Sequence, residues 1–170
     1  MYPVEKYKQK YRIPSARLHG WDYGSPGLYF VTICTNGKKN LFVKNNYLIE
    51  KMIEVLNQTG EKHFFTVWVY CFMPDHLHIF VEGINPHSDL KKFIKDFKQR
   101  TAYWYSREES SAGNKLWQPG YYDHVLRKEE DTAEVLRYIL DNPVRKGLVA
   151  NYLDYRYSGS PVIDIKEILF

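Results

Sequence analysis

Apolar and polar positions alternate with the period of a β-strand in three segments of the first half of the chain. In GLYFVTICT (27–35), alternate positions form two sets of side chains that point to opposite faces. The segments FFTVWVYCFM (64–73) and HLHIFVEG (76–83) are rich in β-branched and aromatic residues, which favour strands. Only Pro74 and Asp75 separate these two segments, so we expect them to form an antiparallel hairpin.

Apolar residues at helical spacing predict a helix on either side of this hairpin. The first helix covers YLIEKMIEVLNQ (47–58). The second is capped by Ser88 or Asp89 and runs to about Ser106. The polar segment REESSAGNK (107–115) follows the second helix and is predicted to be a loop.

The last third of the chain is predicted to contain one more strand and one more helix. LWQPGYYDHVLR (116–127) is extended, because its proline and glycine disfavour a helix. EDTAEVLRYILDN (130–142) is predicted as a helix that ends at Asn142, since Pro143 disfavours helical geometry in the residue before it. The order β, α, β, β, α, β, α with hairpin connections predicts an α+β fold, an antiparallel sheet with helices on its faces.

Length and composition predict a single folded domain. The 170 residues are 44% apolar and 26% charged, which is typical of soluble globular proteins. We divide the chain into a basic N-terminal arm (1–26), one domain (27–158) and a C-terminal tail (159–170). No apolar run reaches the roughly 20 residues of a membrane helix, and the N-terminus lacks the apolar core of a secretory signal. We therefore expect a cytoplasmic protein, with Cys34 and Cys71 as buried free thiols.

Basic residues are concentrated in two segments of a chain whose net charge is only +4. The first 20 residues carry five Lys or Arg and one Glu, and residues 89–100 carry five Lys or Arg and two Asp. Aromatic rings occur among these charges, and this combination suits single-stranded nucleic acid, because cations neutralise phosphates while rings stack on bases. The alternative is that the lysines only solvate the surface of a helix.

Two histidines lie one residue apart in the segment MPDHLHIFVEG (73–83). Because side chains alternate along a strand, His76 and His78 point to the same face, with Cα atoms roughly 6–7 Å apart. Two imidazoles in this relation can both bind one cation if a third ligand comes from elsewhere. The alternative is a half-exposed strand whose two polar residues have no ligand role.

The helix predicted at 130–142 carries two further polar candidates. Tyr138 and Asn142 are four residues apart, so they lie on the same side of the helix, one turn from each other. The amide oxygen of Asn142 is a ligand that a hard cation accepts. The alternative is that Tyr138 packs at the edge of the core and Asn142 caps the helix. The apolar residues that share one arc of this helix are Ala133, Leu136, Ile139 and Leu140.

Three separated motifs, MPDHLHIFVE, LWQPGYYDHVLR and YILDNPVRKGLV, resemble in order and spacing those of the REP-associated tyrosine transposases. These are single-tyrosine HUH transposases of the insertion-sequence class, and the resemblance extends from residue 20 to about Tyr157. It implies a ferredoxin-like sheet, the HUH endonuclease fold, with a divalent cation bound by His76 and His78. It also implies that Tyr138 is the nucleophile and Asn142 the third metal ligand. Insertion-sequence relatives usually have glutamine at the position of Asn142.

The resemblance implies a metal-dependent transposase that nicks and rejoins single-stranded or hairpin DNA, such as REP palindromes, through a 5′-phosphotyrosine. We expect Mg²⁺ or Mn²⁺ as the cofactor, because these ions suit imidazole, amide and phosphate ligands. No organic cofactor is expected, and the expected location is the nucleoid. Two alternatives remain: a ferredoxin-like module that binds single-stranded nucleic acid without chemistry, and a hydrolase that activates water and forms no covalent adduct.

Several residues are candidates for supporting roles at this site. Asp75 either orients a histidine or only forms the turn. Three aromatic residues of the 116–127 segment either stack on bases or pack in the core, namely Trp117, Tyr121 and Tyr122. The absence of a long exposed apolar strand or a heptad pattern favours a monomer over a homodimer. The predicted DNA-binding residues are Arg12, Arg17, Lys91, Lys95, Lys98, His124 and Arg127.

Overall fold

The computed structural model describes residues 21–42, 46–107, 113–126 and 132–168. Its centre is a five-stranded sheet in which every pair of neighbouring strands is antiparallel, in the order β4–β1–β3–β2–β5. The strands are β1 (Leu28–Cys34), β2 (Phe65–Met73), β3 (His76–Gly83), β4 (Tyr122–Leu126) and β5 (Ser158–Gly159). The predicted α+β class, antiparallel sheet and β2–β3 hairpin are confirmed.

Helices cover both faces of the sheet. They are α1 (Asn46–Lys62), α2 (Leu90–Ser106), α3 (Thr132–Leu140) and the single turn α4 (Asn142–Arg145). The α1 and α2 helices pack on one face, over an apolar core that includes Leu77, Ile79 and Val81 of β3. The α3 helix packs on the other face, against a smaller core that contains Phe30 and Phe80. The order β4–β1–β3–β2 with α1 and α2 on one face is the ferredoxin-like arrangement that the family resemblance implied.

The alternation of side chains explains how β3 serves both faces. His76, His78 and Phe80 point toward the α3 face, whereas the intervening residues fill the α1–α2 core. The β1 strand pairs with β3 so that Thr32 lies directly opposite His78. In the sheet, residues directly opposite each other on neighbouring strands share a face. The predicted orientation of the histidine pair, away from the larger core, is therefore confirmed.

The α2 helix begins as the sequence predicted. Asp89 is the N-cap, and its side chain accepts a hydrogen bond from the backbone N–H of Lys92 at 3.1 Å. Ser88 is buried instead, and its hydroxyl donates to the carbonyl of Phe64 at 2.8 Å. Ser88 thus forms a hydrogen bond between the segment that follows the β2–β3 hairpin and the start of β2, while Asp89 caps the helix.

The predicted end of the last helix at Asn142 is wrong. The α3 helix ends at Leu140, and the chain then continues into α4, whose first residue is Asn142 and whose second is Pro143. A proline is tolerated in the first turn of a helix, because the N–H that it lacks has no partner within the helix. Pro143 therefore divides the helical path into two pieces instead of ending it.

The sequence pattern did not predict the contacts of the C-terminal segment. Ser158 and Gly159 form β5, which pairs with Cys71 and Tyr70 of β2. Beyond β5, residues such as Ile163 pack against the core on the α3 face. Cys34 and Cys71 are free and buried, as predicted. In the part of the chain that the structure describes, none of the helices is both long enough and apolar enough to cross a membrane.

Candidate active site

The two histidine rings of β3 meet at their Nε2 atoms. The Nε2 atoms of His76 and His78 are 3.0 Å apart, and the ring centroids are 4.5 Å apart. His78 is 7% exposed, whereas His76 is half-buried and lies nearer the surface. Both side chains thus direct the same ring nitrogen toward one point on the α3 face of the sheet.

The second nitrogen of each ring, Nδ1, is within hydrogen-bond distance of a side-chain oxygen. The Asp75 carboxylate accepts a hydrogen bond from Nδ1 of His76 at 2.6 Å, and this bond holds the pKa of Asp75 below its usual value. The Thr32 hydroxyl lies 2.8 Å from Nδ1 of His78. Because an ionised carboxylate only accepts hydrogen bonds, the proton of neutral His76 is on Nδ1 and a lone pair remains on Nε2. Asp75 therefore orients an imidazole in addition to forming the turn.

Burial keeps the second histidine neutral. The pKa of His78 lies well below its usual value, chiefly because of desolvation and secondarily because a positive charge on His76 or Arg145 would repel its protonated form. When Nδ1 of neutral His78 donates to Thr32, its Nε2 carries a lone pair that faces the lone pair of His76 at 3.0 Å. Two facing lone pairs repel each other unless a proton or a cation lies between them. Neutral imidazole is also the form that binds metal ions.

The ring of Tyr138 lies beside this pair. Its centroid is 6.3 Å from that of His78, and the phenol is half-buried on α3. Phe30 contacts both rings, at 5.2 Å from His78 and 5.8 Å from Tyr138. The guanidinium carbon of Arg145, from α4, lies 4.2 Å from the Tyr138 ring centroid. The phenol and the imidazoles that the sequence analysis singled out therefore occupy one site.

Asn142 lies one helical turn beyond Tyr138, at the start of α4, and is 5% exposed. Two neutral imidazole nitrogens and an amide oxygen form a donor set that fits a divalent cation and leaves positions for other oxygen ligands. Within the described ranges there is no group of three or more His, Cys, Asp and Glu side chains that could hold a metal ion. A site that includes Asn142 depends instead on its amide.

Two of the other candidates lie on β4, at the edge of the sheet. His124 lies opposite Phe30, so it belongs to the same face as the histidine pair. Tyr122 lies opposite Thr32 and is 43% exposed. Trp117, in contrast, is buried, and its Nε1 donates to Thr101 at 2.8 Å, which indicates core packing. Tyr121 also packs against the α1–α2 core.

The predicted DNA-binding lysines lie on α2, which covers the opposite face of the sheet. Lys91 and Lys95 are exposed. Lys98 is half-buried, and its ammonium donates to the carbonyls of Gln118 and Gly120 at 2.8 and 2.7 Å. Burial lowers the pKa of Lys98. The structure therefore does not bring these lysines to the histidine pair. The other predicted DNA-binding residues, Arg12, Arg17 and Arg127, lie outside the described residues.

Sequence reasoning assigned no role to three residues of this site. Thr32 approaches His78 only through the pairing of β1 with β3, which no local pattern reveals. Phe30 occurs in the predicted first strand, on the same face as Thr32, but the pattern gives it no role at a site. Arg145 and Tyr138 both belong to the motif YILDNPVRKGLV. Because they are near each other in the sequence, theirs is the one contact of the three that the sequence could have suggested.

Comparisons with known proteins identify the family and the fold of this chain. The profile of the family described as "Transposase IS200 like" matches residues 27–142. The REP-associated tyrosine transposase of Escherichia coli K12 is 23% identical over 137 residues, which cover 80% of this chain and 78% of that protein. A Haemophilus influenzae protein provisionally given the same name is 26% identical over 148 residues, 81% of this chain and 82% of its own length.

A solved structure of a REP-associated tyrosine transposase, bound to a REP hairpin, has the same fold. It superposes with a TM-score of 0.67 at 19% identity and covers 81% of this chain and 79% of that one. The family profile spans most of the chain, including both histidines and Tyr138. The chain therefore belongs to the IS200-like transposase family, whose members are enzymes that generally use a divalent metal.

Proposed function

We propose that this transposase nicks and rejoins single-stranded or hairpin DNA, with Tyr138 as the nucleophile and His76, His78 and Asn142 as the ligands of a divalent cation. The observation that carries the proposal is the placement of the Tyr138 ring 6.3 Å from that of His78, beside two Nε2 atoms that converge at 3.0 Å. A phenol near a cation site is what transesterification of a phosphodiester requires.

In the proposed reaction, the phenolic oxygen of Tyr138 attacks the scissile phosphorus in line with the leaving 3′-oxygen. The bond from phosphorus to the 3′-oxygen breaks as the bond to tyrosine forms. The phenolic proton is transferred to solvent, and the leaving 3′-oxygen takes up a proton from solvent. A 3′-hydroxyl and a 5′-phosphotyrosine result. Because the new ester conserves the energy of the broken one, a second 3′-hydroxyl can reverse the attack and join strands. The bound cation would supply Lewis-acid stabilisation of charge on the phosphate oxygens.

Mg²⁺ or Mn²⁺ is the proposed cation. Imidazole binds Mn²⁺, Zn²⁺ and other transition ions, but the neutral amide of Asn142 and the phosphate oxygens of the substrate favour a hard ion. The buried position of Asn142 supports its role as a ligand over that of a solvent-exposed helix cap. A shorter side chain than glutamine at this position requires the backbone of α4 to approach the cation closely.

The proposed substrate is a hairpin of the REP type, since the structural neighbour was solved with a REP hairpin. His124 is the proposed DNA contact on the face of the histidine pair. Lys91 and Lys95 would contact DNA that extends over the opposite face. Lys98 would contact the same DNA while its ammonium keeps its hydrogen bonds to two backbone carbonyls. Three further contacts are proposed in segments outside the described ranges: Arg12, Arg17 and Arg127.

We also propose that the protein acts as a monomer. The phenol and both imidazoles come from the same chain and already lie within one site. The reaction therefore does not require a residue from a second copy.

The test is an incubation of end-labelled hairpin DNA with the protein and Mg²⁺ or Mn²⁺, followed by a denaturing gel. We expect a nicked product and a covalent protein–DNA adduct. Tyr138→Phe should lose both, whereas the matched variant Tyr47→Phe, at an exposed position of α1, should retain both. Nicking by Tyr138→Phe, or nicking without an adduct, would contradict the proposal and favour a hydrolase that uses water.

A further inference from the structure

The break between α3 and α4 falls between the two residues of the proposed site that come from helices. Tyr138 lies in the last turn of α3, and Asn142 is the first residue of α4. Pro143 has no N–H to donate to the carbonyl of Ile139, so one of the hydrogen bonds that would join the two pieces is missing. Backbone hydrogen bonds on both sides of Asp141 still connect the two pieces, and a side-chain contact across the break would add to them.

The side chain of Arg145 supplies that contact. From α4, its Nη2 donates to the backbone carbonyl of Tyr138 at 3.0 Å, and its Nη1 donates to the Asp141 carboxylate at 3.1 Å. The guanidinium carbon also lies 4.2 Å from the centroid of the Tyr138 ring. The Arg145 side chain is only 21% exposed, so these contacts are partly shielded from water.

We propose that Arg145 is a positioning residue, which locks α3 to α4 and holds the Tyr138 ring in its orientation toward the histidine pair. This inference rests on the proposed function for its catalytic consequence. Planar guanidinium is suited to the task, because it stacks on an aromatic face while its N–H groups donate in fixed directions. A lysine ammonium provides charge but cannot make the stacking contact and both hydrogen bonds in the same way.

The catalytic consequence follows from the geometry of in-line attack. The phenolic oxygen must be aligned with phosphorus and the leaving oxygen, and a misplacement of about 1 Å can cost about 100-fold in rate. The loss of Arg145 should therefore lower the rate of the cleavage step more than it weakens DNA binding. Removal of a DNA contact would instead weaken binding and leave the rate at saturating DNA largely unchanged.

The test compares Arg145→Lys and Arg145→Met with the same substitutions at Arg156. Arg156 is a matched control, because its guanidinium lies 5.3 Å from the Tyr157 ring and 3.0 Å from Glu50, but both ion-pair partners are exposed and Tyr157 packs on the opposite core. Two readouts are used. One is the single-turnover nicking rate at saturating hairpin DNA with Mg²⁺, and the other is the ¹⁹F NMR resonance of 3-fluorotyrosine placed at position 138 without DNA or metal.

For both Arg145 variants we expect a nicking rate at least about tenfold lower, with hairpin affinity within about threefold. We also expect a shifted or broadened fluorine resonance. The Arg156 variants should change neither readout. If circular dichroism shows that Arg145→Met is not folded, the test relies on the two readouts of Arg145→Lys.

Two outcomes would overturn the inference. One is an Arg145→Lys protein with an unchanged fluorine resonance, even if its nicking rate falls, because the ring would then be held by other contacts. The other is a shifted resonance with a nicking rate within twofold of the unmodified protein. If the unmodified protein does not nick DNA at all, the proposed function fails, but the fluorine readout still tests whether Arg145 holds Tyr138.

Discussion

The chemistry of individual residues at this site depends on where each imidazole carries its proton. Asp75 fixes the proton of His76 on Nδ1. The hydroxyl of Thr32 contacts Nδ1 of His78 in the same way. Such outer contacts set the tautomer and raise the basicity of the nitrogen that faces a metal. The hydroxyl of Thr32 is therefore as much a part of the proposed metal centre as the carboxylate of Asp75, although it does not touch the cation.

Thr32→Val should weaken Mn²⁺ binding by about tenfold, the lower end of the range for the loss of an outer contact. The substitution keeps the shape of the side chain but leaves Nδ1 of His78 without its hydroxyl partner. Isothermal titration calorimetry measures the affinity directly. Thr66→Val, in the part of β2 that pairs with Glu82, is the matched control and should bind Mn²⁺ normally. Equal affinities for the two variants would rule out this role for Thr32.

Local sequence pattern predicted part of this site and could not predict the rest. The period of two placed His76 and His78 on one face, and helical spacing placed Asn142 one turn after Tyr138. The Thr32–His78 contact could not be predicted, because β1 and β3 are separated by α1 and β2 and their register depends on the whole sheet. The roles of Tyr138 and Asn142 came from the resemblance to a known family, since a tyrosine and an asparagine on a helix have many other uses.

At the scale of secondary-structure elements, the α3–α4 pair shows the limit of the pattern. Ile139 and Leu140 are buried as predicted, but the third buried residue of α3 is Val135, whereas Leu136 is only half-buried. The buried side of α3 is therefore rotated relative to the predicted arc of apolar residues. A nine-residue helix contacts the sheet with few residues, so its apolar positions define the buried side only approximately. The sequence pattern predicts a helix end at Pro143, although a proline also fits the first turn of a new helix.

Hydrogen bonds and charge attract α1 and α2 to each other. At the C-terminal end of α1, Lys62 and His63 both contact the carboxylate of Asp96 on α2, at 2.7 and 2.9 Å. The hydrogen bond from Lys62 is the largest cause of the lowered pKa of Asp96. Since α1 and α2 cover the face of the sheet opposite the histidine pair, this contact contributes to the scaffold and not to the reaction.

Asp96→Asn should lower the free energy of unfolding at pH 7 by at most about 1 kcal/mol, because Lys62 is 62% exposed and water screens the pair. The folded-state pKa of Asp96 lies below its usual value of 3.8. Its ionisation therefore stabilises the protein above that value, and this contribution is lost as the pH falls through the lower, folded-state pKa.

Urea unfolding at a series of pH values measures this effect. Below about pH 5, the difference between Asp96→Asn and the unmodified protein should shrink as the pH falls. Glu61→Gln, which removes a negative charge from an exposed position of α1, is the control. A difference that stays constant or grows below about pH 5 would show that the Asp96 carboxylate does not stabilise the fold.

At the scale of the whole molecule, the sheet separates the proposed reaction centre from the basic surface of α2. The histidine pair and α3 lie on one face, and Lys91 and Lys95 lie on the helix that covers the other. Sequence pattern predicted both features but not that they are on opposite sides, because the choice of face for each helix depends on packing. A substrate that contacts both surfaces must pass around an edge of the sheet.

The double variant Lys91→Gln/Lys95→Gln should weaken hairpin binding and leave the nicking rate at saturating DNA unchanged. Each lost phosphate contact lowers the slope of log affinity against log salt concentration by about 0.7 to 0.9. Fluorescence anisotropy at several salt concentrations measures this slope, with Lys166→Gln as the control for the loss of charge. If the affinity and the slope are unchanged, the lysines only solvate α2.

The proposed reaction requires the Tyr138 phenol and the histidine pair to share one cation. The most direct measurement is paramagnetic broadening of ¹⁹F by Mn²⁺, with 3-fluorotyrosine placed at position 138 or, as a control on the opposite core, at position 157. We expect stoichiometric Mn²⁺ to broaden the resonance at position 138 much more strongly than the one at position 157, and to affect neither after His76→Ala. Stoichiometric binding of Mn²⁺ that leaves the resonance at position 138 sharp would contradict this expectation.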